Sequence, residues 1–489
     1  MQFNGRQVLA IVLVSILASS LVTMLVIGTD DLPLQGKELV ESNGEQAAEE
    51  NGAGFDLKKI EEVYQTIKEH YVFEVDDEAL IEGAVQGMMS TLDDPYSEYL
   101  SPEAARQLQE SLSSSFEGIG AEVTMQDGRV TIVAPIKDSP AEKAGLRPMD
   151  QIISVNGEKL ENMNLYEAVL KIRGPQGSVA ELEIIRPGVD QPFKVEVVRE
   201  EIPIETVYSK KVSAENKTFG WLQITSFGEN TAERFAEELT KLEQAQIDGL
   251  IIDVRGNPGG YLEAVRQIGQ MLVPYESVIT EIEDKTGERM VYRSTLEKPK
   301  PYPIAVLIDK GSASASEILA AALKEAGQYK LVGQATFGKG TVQNTINLAD
   351  QSQIKITIAK WLTPKENWIN QKGVEPDVEV EQPDYFYAAY VSSDPILERD
   401  MNNNQVRNLQ VVLAGLGYDP GRKDGYFSLE TEQAVKSFQA DHDLPVTGRV
   451  DQQTAEKINE QLLAKVQDPR SDLQLQKAVE VLLKQLNSQ

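Results

Sequence analysis

Three serines at alternate positions, Ser312, Ser314 and Ser316, stand where an apolar run from Ile304 to Ile308 gives way to an alanine-rich helical pattern. Further along, Lys339 sits in a tight loop between Gly338 and Gly340. A hydroxyl at a strand-to-helix turn and an amine nearby are the two halves of a nucleophile and its base, because a serine attacks a carbonyl only when a neighbour takes its proton. Each half also has a plainer reading. Ser314-Ala315-Ser316-Glu317 fits a capping box, in which the hydroxyl merely closes the start of the helix. A glycine-flanked lysine is ordinarily solvated, and on local grounds Ser312 or Ser316 serves as well as Ser314.

Composition narrows the chemistry. The chain has no cysteine, which removes thiol nucleophiles, disulfides and thiolate zinc sites. Its only histidines, His70 and His442, lie near opposite ends of the chain without supporting motifs, and they read as surface residues. Lys339 is then the only local base. It must be neutral near pH 7, so its pKa has to fall by about three units, or roughly 4 kcal/mol, through burial in an apolar site. Phe337 and the adjacent glycines are the groups expected to exclude water. With 77 acidic against 47 basic residues the net charge is -30, which argues against nucleic-acid partners. No cofactor is called for, and no histidine cluster or paired-carboxylate motif suggests a metal.

The elements that must position these residues alternate from Phe219 onward. Trp221 to Phe227 and Gly249 to Val254 read as strands around a helical pattern from Thr231 to Ala245. The turn Arg255-Gly256-Asn257-Pro258-Gly259-Gly260 enters a helix from Tyr261 to Leu272, and Gln353 to Trp361 is a later strand. Such alternation implies an α/β core. Upstream, Val8 to Ile27 is uncharged and long enough to span a bilayer, with Arg6 before it and Asp30 and Asp31 after it. An uncleaved anchor is favoured over a signal peptide cut near Ala18-Ser19-Ser20, and either places the body outside the cytoplasm. Residues 29–54 read as a flexible acidic spacer. Two helical patterns follow, one with Ile60, Val63, Tyr64 and Ile67 on a face and one from Glu78 to Leu92. They are assigned a buried side and a packing or subunit role, with no catalytic cluster.

Three resemblances complete the picture. Ser139-Pro140-Ala141-Glu142-Lys143-Ala144-Gly145-Leu146 and Asp150-Gln151-Ile152-Ile153-Ser154-Val155-Asn156-Gly157 resemble a PDZ domain. That likeness makes Gly118, Ile119, Gly120 and Ala121 the loop that offers amides to a peptide's C-terminal carboxylate, with the helix from Leu165 as the other groove wall. Arg173, at the end of that helix, caps it by charge or senses an occupied groove by pairing with the catalytic domain. Val406 to Leu413, Leu416-Gly417-Tyr418, Asp424-Gly425-Tyr426-Phe427 and Leu444 to Asp451 resemble a small helical peptidoglycan-binding module. The amphipathic stretch Leu473 to Leu486 then looks like the protease's own tail, with the module inserted ahead of it.

Gly311 to Ile318, Thr336 to Gln343, Asp94-Pro95-Tyr96-Ser97-Glu98-Tyr99-Leu100 and Gly373-Val374-Glu375-Pro376-Asp377 resemble the C-terminal processing, or tail-specific, proteases, which are Ser-Lys serine peptidases. The resemblance implies Ser314 as nucleophile, Lys339 as base and Gln343 as the residue that orients it. Gly259, Gly260 and Ala315 become candidate oxyanion-hole donors, with Gly260 preferred to Gly259. The expected fold class is a multidomain α/β (α+β) chain. It comprises a transmembrane anchor (1–28), the spacer (29–54), a helical dimerisation region (55–113), a PDZ domain (114–200), an α/β serine-protease core (201–395), a peptidoglycan-binding module (396–465) and a C-terminal helix (466–489). The expected function is a serine endopeptidase that cuts proteins held by their C-terminal tails in the extracytoplasmic space. The expected partners are such tails, peptidoglycan and a second copy of the chain. A non-catalytic PDZ and wall-binding scaffold is the rival reading.

Overall fold

The computed structural model describes residues 57–488, apart from residues 114, 127, 162 and 190. The stretch Val8 to Ile27 and the spacer at 29–54 lie outside the described residues, among which no helix is long and apolar enough to cross a membrane.

The core is a six-stranded sheet in the order Val207–Ala214, Lys217–Ile224, Gly249–Asp253, Ile304–Ile308, Lys330–Gly333 and Val378–Glu379. The first pair is antiparallel and the remainder parallel. Every residue of Ile304–Ile308 is buried, as expected of a parallel strand covered on both faces. Leu250, Ile252, Ile304, Val306 and Ile308 point to one side and pack on the helices Thr231–Gln244, Leu262–Leu272 and Ala315–Glu325. Phe219, Ile251, Ala305, Leu307 and Val332 point to the other, where Leu475, Ala478, Val479 and Leu482 of the helix Leu473–Asn487 cover them. The C-terminal helix is therefore part of this α/β core. Its apolar face is packed within the chain.

That helix is clamped to the turn after Gly249–Asp253. Arg255 donates to both oxygens of Asp253 at 2.9 and 2.7 Å and to both oxygens of Asp472 at 3.0 and 2.7 Å. Asp472 is also the helix N-cap and accepts the Leu475 amide at 2.9 Å. Two planar fork-to-carboxylate pairs satisfy a guanidinium that burial alone would disfavour.

A second sheet lies beside the first and joins Glu98–Leu100, Gln353–Leu362, Val278–Asp284 and Arg289–Arg293, with Thr341–Asn347 paired to Gln353–Leu362. The segment at 98–100 thus reaches from the N-terminal region to the strand Gln353–Leu362, with Glu98 opposite Lys355. The register slips between Val342 and Gln343, after which Gln343 pairs with Thr357. Such a bulge re-aims a side chain.

The unit that resembles a PDZ domain is an antiparallel sheet of Ala121–Gln126, Arg129–Pro135, Gln151–Val155, Val179–Ile185 and Phe193–Val198. It closes over Ile119, Ile132, Ile152, Leu182 and Ile184 together with Ala168 and Ile172 of the helix Leu165–Ile172. The inserted module folds on its own core of Val406, Leu409, Leu413, Phe427, Val435, Phe438 and Ile458. Two matching turns build it. Gln410 accepts the Gly425 amide at 3.0 Å and donates to Thr431, while Gln439 accepts the Gly448 amide at 2.9 Å and donates to Thr454. His442 stacks on Phe438, centroids 4.4 Å apart, so it is half-buried and not a free surface residue.

The N-terminal helices Lys58–His70 and Asp77–Ser90 depart from expectation, since neither buries a residue. Leu57, Ile60, Val63, Ile81 and Met88 are all exposed. The apolar stripe is there, but nothing within the described chain covers it.

Candidate active site

The turn from strand Ile304–Ile308 into helix Ala315–Glu325 separates the three serines by what their hydroxyls do. Ser312 Oγ donates to the carbonyl of Val254 at 2.8 Å, and Ser316 Oγ donates to the carbonyl of Asn257 at 2.8 Å. Both are committed to backbone. Ser314 is fully buried and its Oγ has no hydrogen-bond partner. Only half of the expected capping box forms. Glu317 Oε2 accepts the Ser314 amide at 2.8 Å, while the Glu317 amide donates to the Ser314 carbonyl at 2.9 Å and not to the hydroxyl. The helix start is closed without Ser314 Oγ. Its backbone sits at φ 54°, ψ -111°, a region that side-chain-bearing residues rarely adopt and that costs about 1–3 kcal/mol.

Glu317 also builds the other half of the site. Its Oε2 accepts the Lys339 amide at 2.8 Å, so one oxygen ties the backbones of Ser314 and Lys339 side by side. Its Oε1 accepts the Gly338 amide at 2.7 Å and the Thr336 hydroxyl at 2.6 Å. Burial pushes the Glu317 carboxyl up, against the pull of the four donors, which favour its ionised form. The sequence showed Glu317 only as a cap. Glu317→Ala leaves three backbone amides and a hydroxyl unsatisfied at roughly 1–3 kcal/mol each. Urea unfolding of the core is expected to lose at least about 3 kcal/mol; a change under about 1 kcal/mol would remove Glu317 from this structural role.

Lys339 is 2% exposed and its Nζ lies 4.7 Å from the ring centroid of Tyr96. Burial first, and then the nearby Lys355 ammonium, bring its pKa down to about 7 against the opposing pull of Asp94, Glu317 and Glu98. Phe337 is not what excludes water, since it is 54% exposed. The cover includes Tyr96 and the indole of Trp361, which donates to the Lys339 carbonyl at 2.9 Å. Gly338 has φ 93°, and a Cβ there would lie 2.9 Å from the Lys372 amide nitrogen, so the lysine loop admits only glycine.

Gln343 is fully buried. Its amide nitrogen donates to Thr341 Oγ1 at 2.9 Å and Thr357 Oγ1 at 3.0 Å, and its Oε1 has no partner. The structure thus brings Ser314, Lys339 and Gln343 into one buried region with an unused hydroxyl oxygen and an unused amide oxygen.

The glycine turn closes the other side. Asn257 accepts the Ala313 amide on its carbonyl at 3.0 Å and the Gly259 amide on its Oδ1 at 2.9 Å. A Cβ on Gly259 would lie 3.0 Å from Ser314 Cβ and 3.1 Å from the Ala315 nitrogen, so the turn abuts the serine. Gly260, at φ 144°, bridges to Phe227, whose backbone a Cβ would overlap; that bridge uses the Gly259 carbonyl and the Tyr261 amide. The Gly259 amide is spent on Asn257 and the Gly260 amide is not used in the bridge.

At the PDZ loop, Gly118, Ile119 and Gly120 are buried and Ala121 half-buried. The carbonyl of Ile119 accepts the Ala141 amide at 2.8 Å, and that of Gly120 accepts Ser139 Oγ at 2.8 Å. The loop is pinned by its carbonyls. Arg173 pairs with Glu110 at 2.5 Å and lies over the Phe116 ring at 4.9 Å. Its carboxylate partner is on the helix Pro102–Leu112 and not on the catalytic core as expected. That helix nevertheless reaches the core, because Leu112 is buried there.

Sequence reasoning missed Asp94, Tyr96, Thr357 and Asn257. Asp94 and Tyr96 entered only as part of the motif Asp94 to Leu100, and no local signal links them to a lysine far along the chain.

Four family models match the chain: peptidase family S41 at 218–380, the N-terminal domain of the activating protease CtpB at 20–104, the PDZ domain at 107–185 and a peptidoglycan-binding domain at 402–458. The chain is 50% identical over 426 residues to the carboxy-terminal processing protease CtpB of Bacillus subtilis (strain 168), covering 87% of this chain and 89% of that one. It is 38% identical over 476 residues to the carboxy-terminal processing protease CtpA of the same organism, covering 97% and 98%. Among solved structures, the photosystem II D1 C-terminal processing protease aligns at 30% identity over 67% of this chain and 87% of that chain, with a TM-score of 0.42.

Proposed function

The chain belongs to the carboxy-terminal processing proteases of peptidase family S41 and is a serine-type peptidase, and from that premise we propose that Ser314 is its nucleophile, Lys339 its general base and Gln343 the residue that orients the base. The observation that carries the assignment is the division among the serines: Ser314 alone of the three keeps an uncommitted hydroxyl, beside a lysine held near neutrality.

Neutral Lys339 takes the Ser314 hydroxyl proton as Oγ attacks the scissile carbonyl carbon. The negative oxygen of the tetrahedral adduct is met by the amides of Gly260 and Ala315, with Gly259 as the turn residue that brings Gly260 into place. The Lys339 ammonium then returns its proton to the leaving amine, and the C–N bond breaks to give an acyl-Ser314 ester. Water, deprotonated by Lys339, hydrolyses the ester and restores the hydroxyl.

Substrate capture falls to the PDZ domain, with the loop Gly118–Ala121 receiving a C-terminal carboxylate. The module at 402–458 holds the enzyme at peptidoglycan, and Val8 to Ile27 anchors it with the catalytic part outside the cytoplasm. The exposed apolar stripe of the N-terminal helices takes a second copy of the chain. A non-catalytic scaffold gives way to membership in a peptidase family. The test is a matched peptide pair. A tail with a free carboxylate is expected to have kcat/KM about 10–100-fold above its amidated twin, through KM, from the loss of charge-assisted hydrogen bonds worth about 1.5–3 kcal/mol. Equal cleavage of the two would overturn PDZ capture.

A further inference from the structure

The turn Asp94-Pro95-Tyr96-Ser97 belongs to the N-terminal region, yet it reaches both the candidate base and the strand beside Gln343. The Tyr96 ring faces Lys339 Nζ at 4.7 Å. Asp94 Oδ2 accepts the hydroxyls of Ser97 and Thr357, each at 2.6 Å, and Oδ1 accepts the Tyr96 amide at 3.1 Å. The Thr357 amide in turn donates to Ser97 Oγ at 3.0 Å, which locks the turn to the strand paired with Gln343.

Donor and acceptor roles along this chain are not free. A carboxylate can only accept, so Thr357 must send its one hydroxyl proton to Asp94. Thr357 Oγ1 is then left with lone pairs alone, and it can meet only the NH2 end of Gln343. That fixes which way round the Gln343 amide lies and leaves Oε1 as the buried, unpartnered acceptor.

We propose that Asp94 is a positioning residue for the base, acting through Thr357 to hold Gln343 with its amide oxygen free to accept an N–H of Lys339. The proposal rests on the Ser314–Lys339–Gln343 reading and adds a fourth and a fifth residue to it, one of them from the N-terminal region. In Asp94→Asn the new NH2 group can donate to Thr357, which turns the Thr357 proton toward Gln343 and favours the flipped amide. Gln343 would then present a donor where Lys339 needs an acceptor.

The charged groups around Lys339 are Lys355, paired with Glu98, together with Glu317 and Asp94, and the Tyr96 ring lies over it. Removing the Asp94 anion removes one group that favours the ammonium, so the acid limb of activity moves to lower pH. Thr357→Val breaks the same relay without changing charge.

Steady-state kinetics of the full chain on a tail peptide test this. Asp94→Asn and Thr357→Val are expected to lower kcat about 10–100-fold with KM within about twofold. Thr357→Ser, which keeps the hydroxyl, should recover most of that rate. Only Asp94→Asn should shift the acid limb of kcat/KM downward. Wild-type kcat in both variants, or a loss in Thr357→Ser equal to that in Thr357→Val, overturns the relay. Lys339→Met separates the two levels: if it is inactive while the relay variants are normal, the relay alone falls; if it retains activity, the reading beneath it falls too.

Discussion

Lys339→Met is expected to abolish tail cleavage, lowering kcat by at least about 10⁴-fold, and to raise the stability of the folded chain at neutral pH. The two effects have one cause. The folded state holds this amine at a pKa of about 7, while in the unfolded chain it titrates near 10.5. Between those values the unfolded chain binds a proton that the folded chain does not, so the lysine's contribution to stability rises with pH by up to about 1.4 kcal/mol per unit. Above pH 10.5 both states are neutral and there is no penalty. Below pH 7 both are charged and the folded chain bears the full cost of a buried ammonium, about 4–5 kcal/mol. Methionine has a similar length without the charge and fills irregular space well. Urea titrations should therefore show the variant ahead of the wild type by several kcal/mol at pH 6–7, with the gap closing toward pH 10.5. In the wild type, kcat/KM should rise with pH through about 7 as the base becomes neutral. A stability difference that ignored pH, or an active variant, would remove Lys339 from the role of base.

How much of this was legible in the sequence depends on how local the governing contacts are. The core strand Ile304–Ile308 and its neighbours were visible, because a run buried on both faces has no other use for five consecutive apolar residues. The motif Gly338-Lys339-Gly340 showed a tight loop. It did not show what buries the lysine, because Tyr96 and Trp361 come from other elements, and the adjacent Phe337 faces outward. Glu317 was seen with only one of its partners. A cap reads over three residues, whereas the bonds to Thr336, Gly338 and Lys339 exist only after the sheet has brought that loop alongside.

The N-terminal helices mislead for the opposite reason. Their periodicity is sound, but an amphipathic pattern says only that a face needs covering, not that the same chain covers it. The helix Leu473–Asn487 has a similar pattern and is covered from within. Asp94 was beyond local reading altogether, since its meaning lies in a hydrogen bond to Thr357 across 263 residues.

Ser314→Ala should give the other large effect, a fall in kcat of about 10⁴–10⁶-fold with tail binding intact, because the proposed mechanism makes the hydroxyl the attacking atom and leaves tail capture to the PDZ domain. Mixed with tagged tail peptides, the variant should hold them uncleaved and release them on dilution. Its stability should not fall, since the lost hydroxyl has no partner to leave unsatisfied. Backbone strain gives this prediction a second arm. At φ 54°, ψ -111° alanine is as strained as serine, whereas glycine visits such positive φ freely. Ser314→Gly should therefore be equally inactive yet more stable than Ser314→Ala by about 1 kcal/mol, after allowing for the extra freedom glycine gives the unfolded chain. Glu317 and Asn257, bonded on either side of the serine, are what hold it in that conformation. Were the glycine variant no more stable than the alanine one, the turn would be unstrained. The buried hydroxyl would then owe its lack of a partner to the side-chain rotamer alone, not to a backbone held for attack.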